Sequence, residues 1–142
     1  MIILDTNIIS EVMRPEPSPS VLAWLRSMPL FELATATICI AEIGYGLARL
    51  PYGRRRAQRE AAFSNYRARV FEDRIFPFDA LAADAYGELV ASRERSGRPL
   101  EGPDGFIAAI ALSRGFRVAT RDVGGFAGCG FAVVNPWDVG HD

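Results

Sequence analysis

The chain contains no lysine: all sixteen of its basic side chains are arginine. That absence excludes a P-loop lysine, a Schiff-base lysine and the lysine that response-regulator receivers place near a phosphorylated aspartate. Histidine is nearly missing as well. His141, next to the last residue, is the single one, which argues against a histidine zinc centre or a Ser–His–Asp triad. Cys39 and Cys129 are far apart with no paired spacing, so reduced thiols are expected rather than a disulfide or zinc site. No apolar run approaches the ~18 residues that span a bilayer, and the opening Met-Ile-Ile-Leu-Asp has no basic leader or cleavage site. A soluble cytoplasmic protein is expected, with its chemistry left to carboxylates and arginines.

Apolar residues make up 49% of the 142 positions, enough for a real core, and the length suits one domain over residues 1–142. A net charge of −1 rules out nucleic-acid binding by bulk charge alone. Proline and glycine divide the chain into short units. Ile2-Ile3-Leu4 reads as a buried strand running into Asp5-Thr6-Asn7, and helices are expected over Ile8 to Met13 and from Ser20 to Met28. A strand at Glu32 to Ala34 precedes helices over Thr37 to Leu50 and Arg54 to Val70. Arg74 to Phe78 reads as a strand, and Asp79 can cap the helix that follows. Asp104 opens a further helix that stops at Gly115, and Phe116 to Thr120 and Phe131 to Val134 complete the strands. This alternation predicts an α/β fold with a mostly parallel sheet.

In such folds ligands sit beyond the C-terminal ends of the strands. Asp5 and Asp122 each follow a strand, and Asp104 starts a helix where the chain returns to the same edge, so three acids belong on one rim. Each also has an ordinary use: Asp5 and Asp104 as caps, Asp122 in the turn Arg-Asp-Val-Gly-Gly. Glu42 shares a helix side with Ile38, Ala41 and Tyr45, so it needs an arginine partner or a polar pocket. Clustered carboxylates repel, and a hard divalent cation, Mg²⁺ or Mn²⁺, is the simplest way to hold them together.

Four segments, Met-Ile-Ile-Leu-Asp5-Thr6-Asn7, Ala41-Glu42-Ile43-Gly44-Tyr45-Gly46, Asp104-Gly-Phe-Ile107-Ala108-Ala109 and Ala119-Thr120-Arg121-Asp122, resemble the PIN-domain ribonucleases. The resemblance is to VapC-type toxins of bacterial toxin–antitoxin pairs, within them the FitB-like subgroup, and it extends through Asn135-Pro136-Trp137. It implies an α/β/α sandwich, Mg²⁺-dependent RNA cleavage, a homodimer, a VapB- or FitA-like cognate antitoxin, and indirect DNA association through that antitoxin. By position, Asp5, Glu42, Asp104 and Asp122 become an acidic quartet. Asp5, Asp104 and Asp122 are its metal ligands, Glu42 completes the shell or orients water, and Thr6, Asn7 and Thr120 give polar support. The Gly124-Gly125 pair departs from relatives that carry a further acid just before Phe126. The competing reading is a catalytically silent PIN module that acts through protein contacts. A haloacid-dehalogenase-like hydrolase fits poorly, because Asn7 replaces its second aspartate and its lysine is absent.

Two other features admit a functional reading. The cluster Arg54, Arg55, Arg56 and Arg59, followed by Arg67 and Arg69, offers phosphate contacts or, alternatively, a solvated helix end whose arginine stems cover apolar surface. Trp24, Tyr45 and Trp137 are expected in the core or an interface rather than in the site.

Overall fold

The computed structural model describes residues 1–139, so His141 lies outside the described residues. Its centre is strand β1 (Ile2–Leu4), whose three side chains are fully buried. On one side β1 pairs with β2 (Leu33–Ala36), which pairs with β3 (Ile75–Phe76). On the other it pairs with β4 (Arg117–Ala119), which pairs with β5 (Val133–Val134). All four ladders are parallel, in the order β3-β2-β1-β4-β5. The chain therefore switches direction between β1 and β4, where crevices open at the strands' C-terminal ends.

Seven helices cover this sheet among the described residues: α1 (Thr6–Val12), α2 (Pro19–Ser27), α3 (Thr37–Ala48), α4 (Arg54–Tyr66), α5 (Ala80–Arg95), α6 (Asp104–Arg114) and α7 (Val123–Phe126). The arrangement is that of an α/β/α sandwich. Helix α6 is the most deeply set, with Gly105 and every residue from Ile107 to Ala111 buried. Gly105 matters for this packing, because a Cβ there would lie 3.2 Å from the Tyr86 ring of α5. Tyr86 stacks on Phe106 at 5.1 Å, and Phe78 meets both rings edge-on. No helix is long and apolar enough to cross a membrane among the described residues.

Several element bounds differ from the sequence expectation for local reasons. Helix α1 begins at Thr6 because Asp5, in extended conformation, already caps it. Helix α2 begins at Pro19, with Ser18 rather than Ser20 as the cap. The expected Arg54–Val70 helix is α-helical only to Tyr66 and then widens into a π turn over Arg67–Phe71 that buries Val70 and Phe71. Arg74 fastens that turn to the sheet, donating to the carbonyls of Val70 and Leu33. Strand β3 stops at Phe76 because Pro77 has no N–H for the ladder. In α3 the buried positions are Cys39 and Ile43, so Tyr45, expected in the core or an interface, lies outside the core and is 66% exposed.

Candidate functional site

Every carboxylate singled out from the sequence lines one cavity of about 600 Å³ at the C-terminal ends of β1 and β4: Asp5, Glu42, Asp104 and Asp122. Asp5 is the anchor. It leaves β1 directly and is 6% exposed. One carboxylate oxygen accepts from the Thr6 N–H at 2.8 Å and the other from the Thr120 hydroxyl at 2.8 Å. Burial raises its pKa, these two hydrogen bonds lower it, and the charges of Glu42 and Asp122 raise it further, with a net upward shift.

Glu42 is half-buried on α3, where its Oε1 accepts from the Thr6 hydroxyl at 2.7 Å. The polar pocket, and not an arginine, accounts for its inward position. The Asp5 and Glu42 carboxylates and the Cys39 sulfur lie within 4.8 Å of one another. Burial, reinforced by the Asp5 charge, pushes the Cys39 thiol up to about 11, so it is a neutral thiol near pH 7 and a poor donor for a hard cation. Sequence reasoning passed over Cys39 because a lone cysteine carries no spacing signal.

Asp104 and Asp122 stand outside that tight group, where the main cavity meets a second one of about 370 Å³ lined by Arg93, Arg98 and Glu101. Asp104 is the first residue of α6 and its side chain caps nothing; Pro103 holds the cap position. Burial, then the charges of Asp5, Asp122, Glu42 and Glu101, push it up to about 6. Asp122 keeps its ordinary role as well, accepting from the Gly125 N–H at 3.1 Å as the cap of α7. A Cβ at position 125 would fall 2.3 Å from an Asp122 carboxylate oxygen, so an acid at 125 is incompatible with Asp122 as placed.

The polar support forms one network. The Thr120 hydroxyl donates to Asp5 and accepts from the Asp122 N–H at 3.1 Å and from Asn7 Nδ2 at 3.2 Å. Asn7 Nδ2 also reaches Asp5 at 3.5 Å, while Asn7 Oδ1 accepts from the Arg121 N–H at 3.2 Å. Such outer hydrogen bonds fix ligand carboxylates in orientation.

The cavity wall also holds Ser10, Glu11, Arg14, Arg59, Arg121 and Trp137. Trp137, expected in the core or an interface, is half-buried against the core and also lines the site. Within the arginine cluster, Arg56 is held by Glu60 at 2.5 Å, by the Tyr52 ring at 4.3 Å and by the Ala48 and Leu50 carbonyls, a structural role. Arg59 alone of the cluster reaches the cavity. Among the described residues, none of Asp5, Glu42, Asp104 and Asp122 forms an ion pair.

The PIN domain family model matches residues 2–128. The VapC ribonuclease Y4jK of Sinorhizobium fredii is 39% identical over 138 residues, covering 97% of this chain and 99% of that protein. Toxin FitB of Neisseria gonorrhoeae is 38% identical over 142 residues and the full length of both. A solved structure of FitAB bound to an IR36 DNA fragment has a chain that superposes with a TM-score of 0.90, at 38% identity over 96% of each chain.

Proposed function

The chain belongs to the PIN-domain family, and on that premise we propose that it is the ribonuclease toxin of a toxin–antitoxin module, acting at a divalent cation. One observation carries the reading: five carboxylates share a cavity with three arginines, and while Glu11 pairs with Arg14, Asp5, Glu42, Asp104 and Asp122 form no ion pair among the described residues. Carboxylates held unpaired lose stability unless a cation joins them. The acids of the cavity offer carboxylate oxygens, which suit Mg²⁺ or Mn²⁺, hard cations for which the Cys39 sulfur beside Asp5 and Glu42 is a poor ligand. Asp5, Asp104 and Asp122 would hold the ion.

A bound Mg²⁺ or Mn²⁺ supplies Lewis-acid chemistry, making water acidic enough to attack near neutral pH and offsetting the charge that builds on a phosphate. The chain's own residues orient that chemistry. Thr6 and Thr120 hold Asp5 at both oxygens, so its position does not depend on substrate. The Thr6 hydroxyl engages only Oε1 of Glu42, leaving Oε2 to complete the shell or to accept a proton from the attacking water. Neither histidine nor lysine is needed, in keeping with the composition.

The names VapC ribonuclease and Toxin FitB support both halves of the proposal, and the FitAB–DNA complex supports an antitoxin partner through which DNA is reached. A homodimer is part of the same proposal. Leu30 and Phe31, 54% and 66% exposed, offer apolar surface for such contacts. The test is RNA cleavage with Mg²⁺ or Mn²⁺, and with EDTA, by the wild type and by Asp5→Asn. Cleavage by the wild type alone, with metal alone, is expected. Robust cleavage by a folded Asp5→Asn overturns the assignment.

A further inference from the structure

An acidic cavity repels RNA, so the substrate needs contacts that the carboxylates do not supply. Three arginines line the cavity. Arg14 is taken up by Glu11 at 3.4 Å. Arg59 and Arg121 form no ion pair with any acid there, among the described residues. The Arg121 guanidinium instead lies over the Trp137 indole, 4.8 Å from its centre.

This pair is held from both ends. The Trp137 N–H donates to Asn135 Oδ1 at 3.0 Å, and Asn135 Nδ2 donates to Asp138 at 3.1 Å, which fixes the turn carrying the indole. The Arg121 N–H donates to Asn7, whose amide nitrogen reaches Thr120 and Asp5. An aromatic–guanidinium platform is thus joined, through the Arg121 backbone N–H and the side chains of Asn7 and Thr120, to the anchor carboxylate. The cavity is of a size that holds a small ligand such as a nucleotide.

Resting on the ribonuclease reading, we propose that Trp137 and Arg121 form a nucleobase-stacking subsite beside the acids, and that Arg59 contacts a phosphate of the same strand. Every base has a π-face, so stacking tolerates sequence while fixing the strand's position. Trp137 is then a positioning residue: it sets which phosphate lies over the carboxylates without touching the reacting atoms.

The chain has two tryptophans, Trp24 and Trp137, so Trp24→Phe leaves a single reporter fluorophore. The experiment titrates this variant in EDTA with a short single-stranded RNA and with the same strand made abasic at one position at a time. In parallel, wild type, Trp137→Ala and Trp137→Phe are assayed for kcat and KM with Mg²⁺, and their thermal midpoints are recorded. The expected result is quenching of Trp137 that disappears when one particular base is missing. KM should rise about tenfold in Trp137→Ala and recover in Trp137→Phe. RNA cleavage with unchanged KM in folded Trp137→Ala, and no base-dependent quenching, overturns the subsite while the ribonuclease reading stands. If the wild type neither cleaves RNA nor shows quenching, both are overturned.

Discussion

Arg93 and Asp5 are almost equally buried, 5% and 6% exposed, and carry opposite charge, but the chain treats them in opposite ways. The Arg93 guanidinium donates to the backbone carbonyls of Ala127, Gly124 and Gly125, the acceptor-rich end of the short helix α7. Only its Nε lacks a partner. Among the described residues no carboxylate is paired with it, yet its charge is answered by fixed dipoles. Asp5 also has hydrogen bonds, but its surroundings add Glu42 and Asp122, and its pKa stays raised. One buried charge is completed within the fold; the other is left with like charges around it. The two meet in the turn after β4, where Arg93 grips the carbonyls of the residues that follow Asp122. A satisfied cation therefore braces a segment that presents an unsatisfied anion.

The comparison breaks most sharply with paired substitutions. Asp5→Asn is expected to reduce RNA cleavage about 1000-fold or more, since on the proposed reading several kcal/mol of transition-state stabilisation would depend on the ion that Asp5 would hold. Its fold should survive, because an uncharged amide relieves repulsion. Saturating Mg²⁺ should raise the wild-type thermal midpoint, by roughly 2.7 kcal/mol of stability at a hundredfold excess over Kd, and should leave Asp5→Asn unmoved. Arg93→Met is the mirror case. The Ala127 and Gly125 carbonyls lose their side-chain donor while Gly124 keeps Arg98, and the fold should lose about 3 kcal/mol, read by denaturant unfolding. The midpoint shift with Mg²⁺ should persist in Arg93→Met. An Arg93→Met protein as stable as wild type would mean that the carbonyl contacts do not hold the turn.

What the sequence made legible follows the same divide. The strands' apolar runs and the punctuation after them placed Asp5, Asp104 and Asp122 on one rim, because parallel topology dictates where strand ends gather. Glu42 was legible as an acid needing either an arginine partner or a polar pocket, and only the fold, through the Thr6 hydroxyl, decides for the pocket. For Trp137 only the packing was legible: an aromatic beside a strand reads as core or interface, and it does pack on the core, but its place on the cavity wall depends on a turn set by Asn135. The π turn at Arg67–Phe71 was also hidden: helical periodicity continues through it, and Arg74 closes it from outside the helix. Arg56 and Arg59 read alike in sequence and separate only through Glu60 and the Tyr52 ring.

Gly125 sharpens the comparison at the point where the two charges meet. A methyl group there falls on the Asp122 carboxylate and displaces it from the Gly125 N–H. Gly125→Ala should therefore lose the α7 cap, about 1 kcal/mol, while lowering cleavage by about 10-fold or more. A variant with full activity would remove Asp122 from the candidate site. Activity lost together with several kcal/mol would mean that the Arg93 contacts had gone as well.

The smallest effect tests whether the acids are held at the expense of stability. Asp104 is raised from 3.8 to about 6, so its protonated form is favoured in the native state. Its contribution to stability is full below pH 3.8 and is lost as pH rises through about 6, the reverse of an ion-paired aspartate such as Asp79. The N–H of Ala82 and the Arg114 guanidinium lower the Asp79 pKa, and its contribution is lost as pH falls. Substituting Asp104→Asn in metal-free protein should therefore stabilise at pH 7 and do nothing at pH 4. The shift corresponds to about 3 kcal/mol before screening, and partial exposure reduces that to about 1.5 kcal/mol. Loss of a favourable charge at the start of α6 removes about 0.5 more, so about 1 kcal/mol should remain. Denaturant unfolding of both proteins across pH 4–8 in EDTA measures the difference, in which the Asp79 contribution cancels. With saturating Mg²⁺ the sign should reverse, because wild-type Asp104 then faces the ion. A difference that ignores pH would mean that repulsion among the acids does not govern this rim.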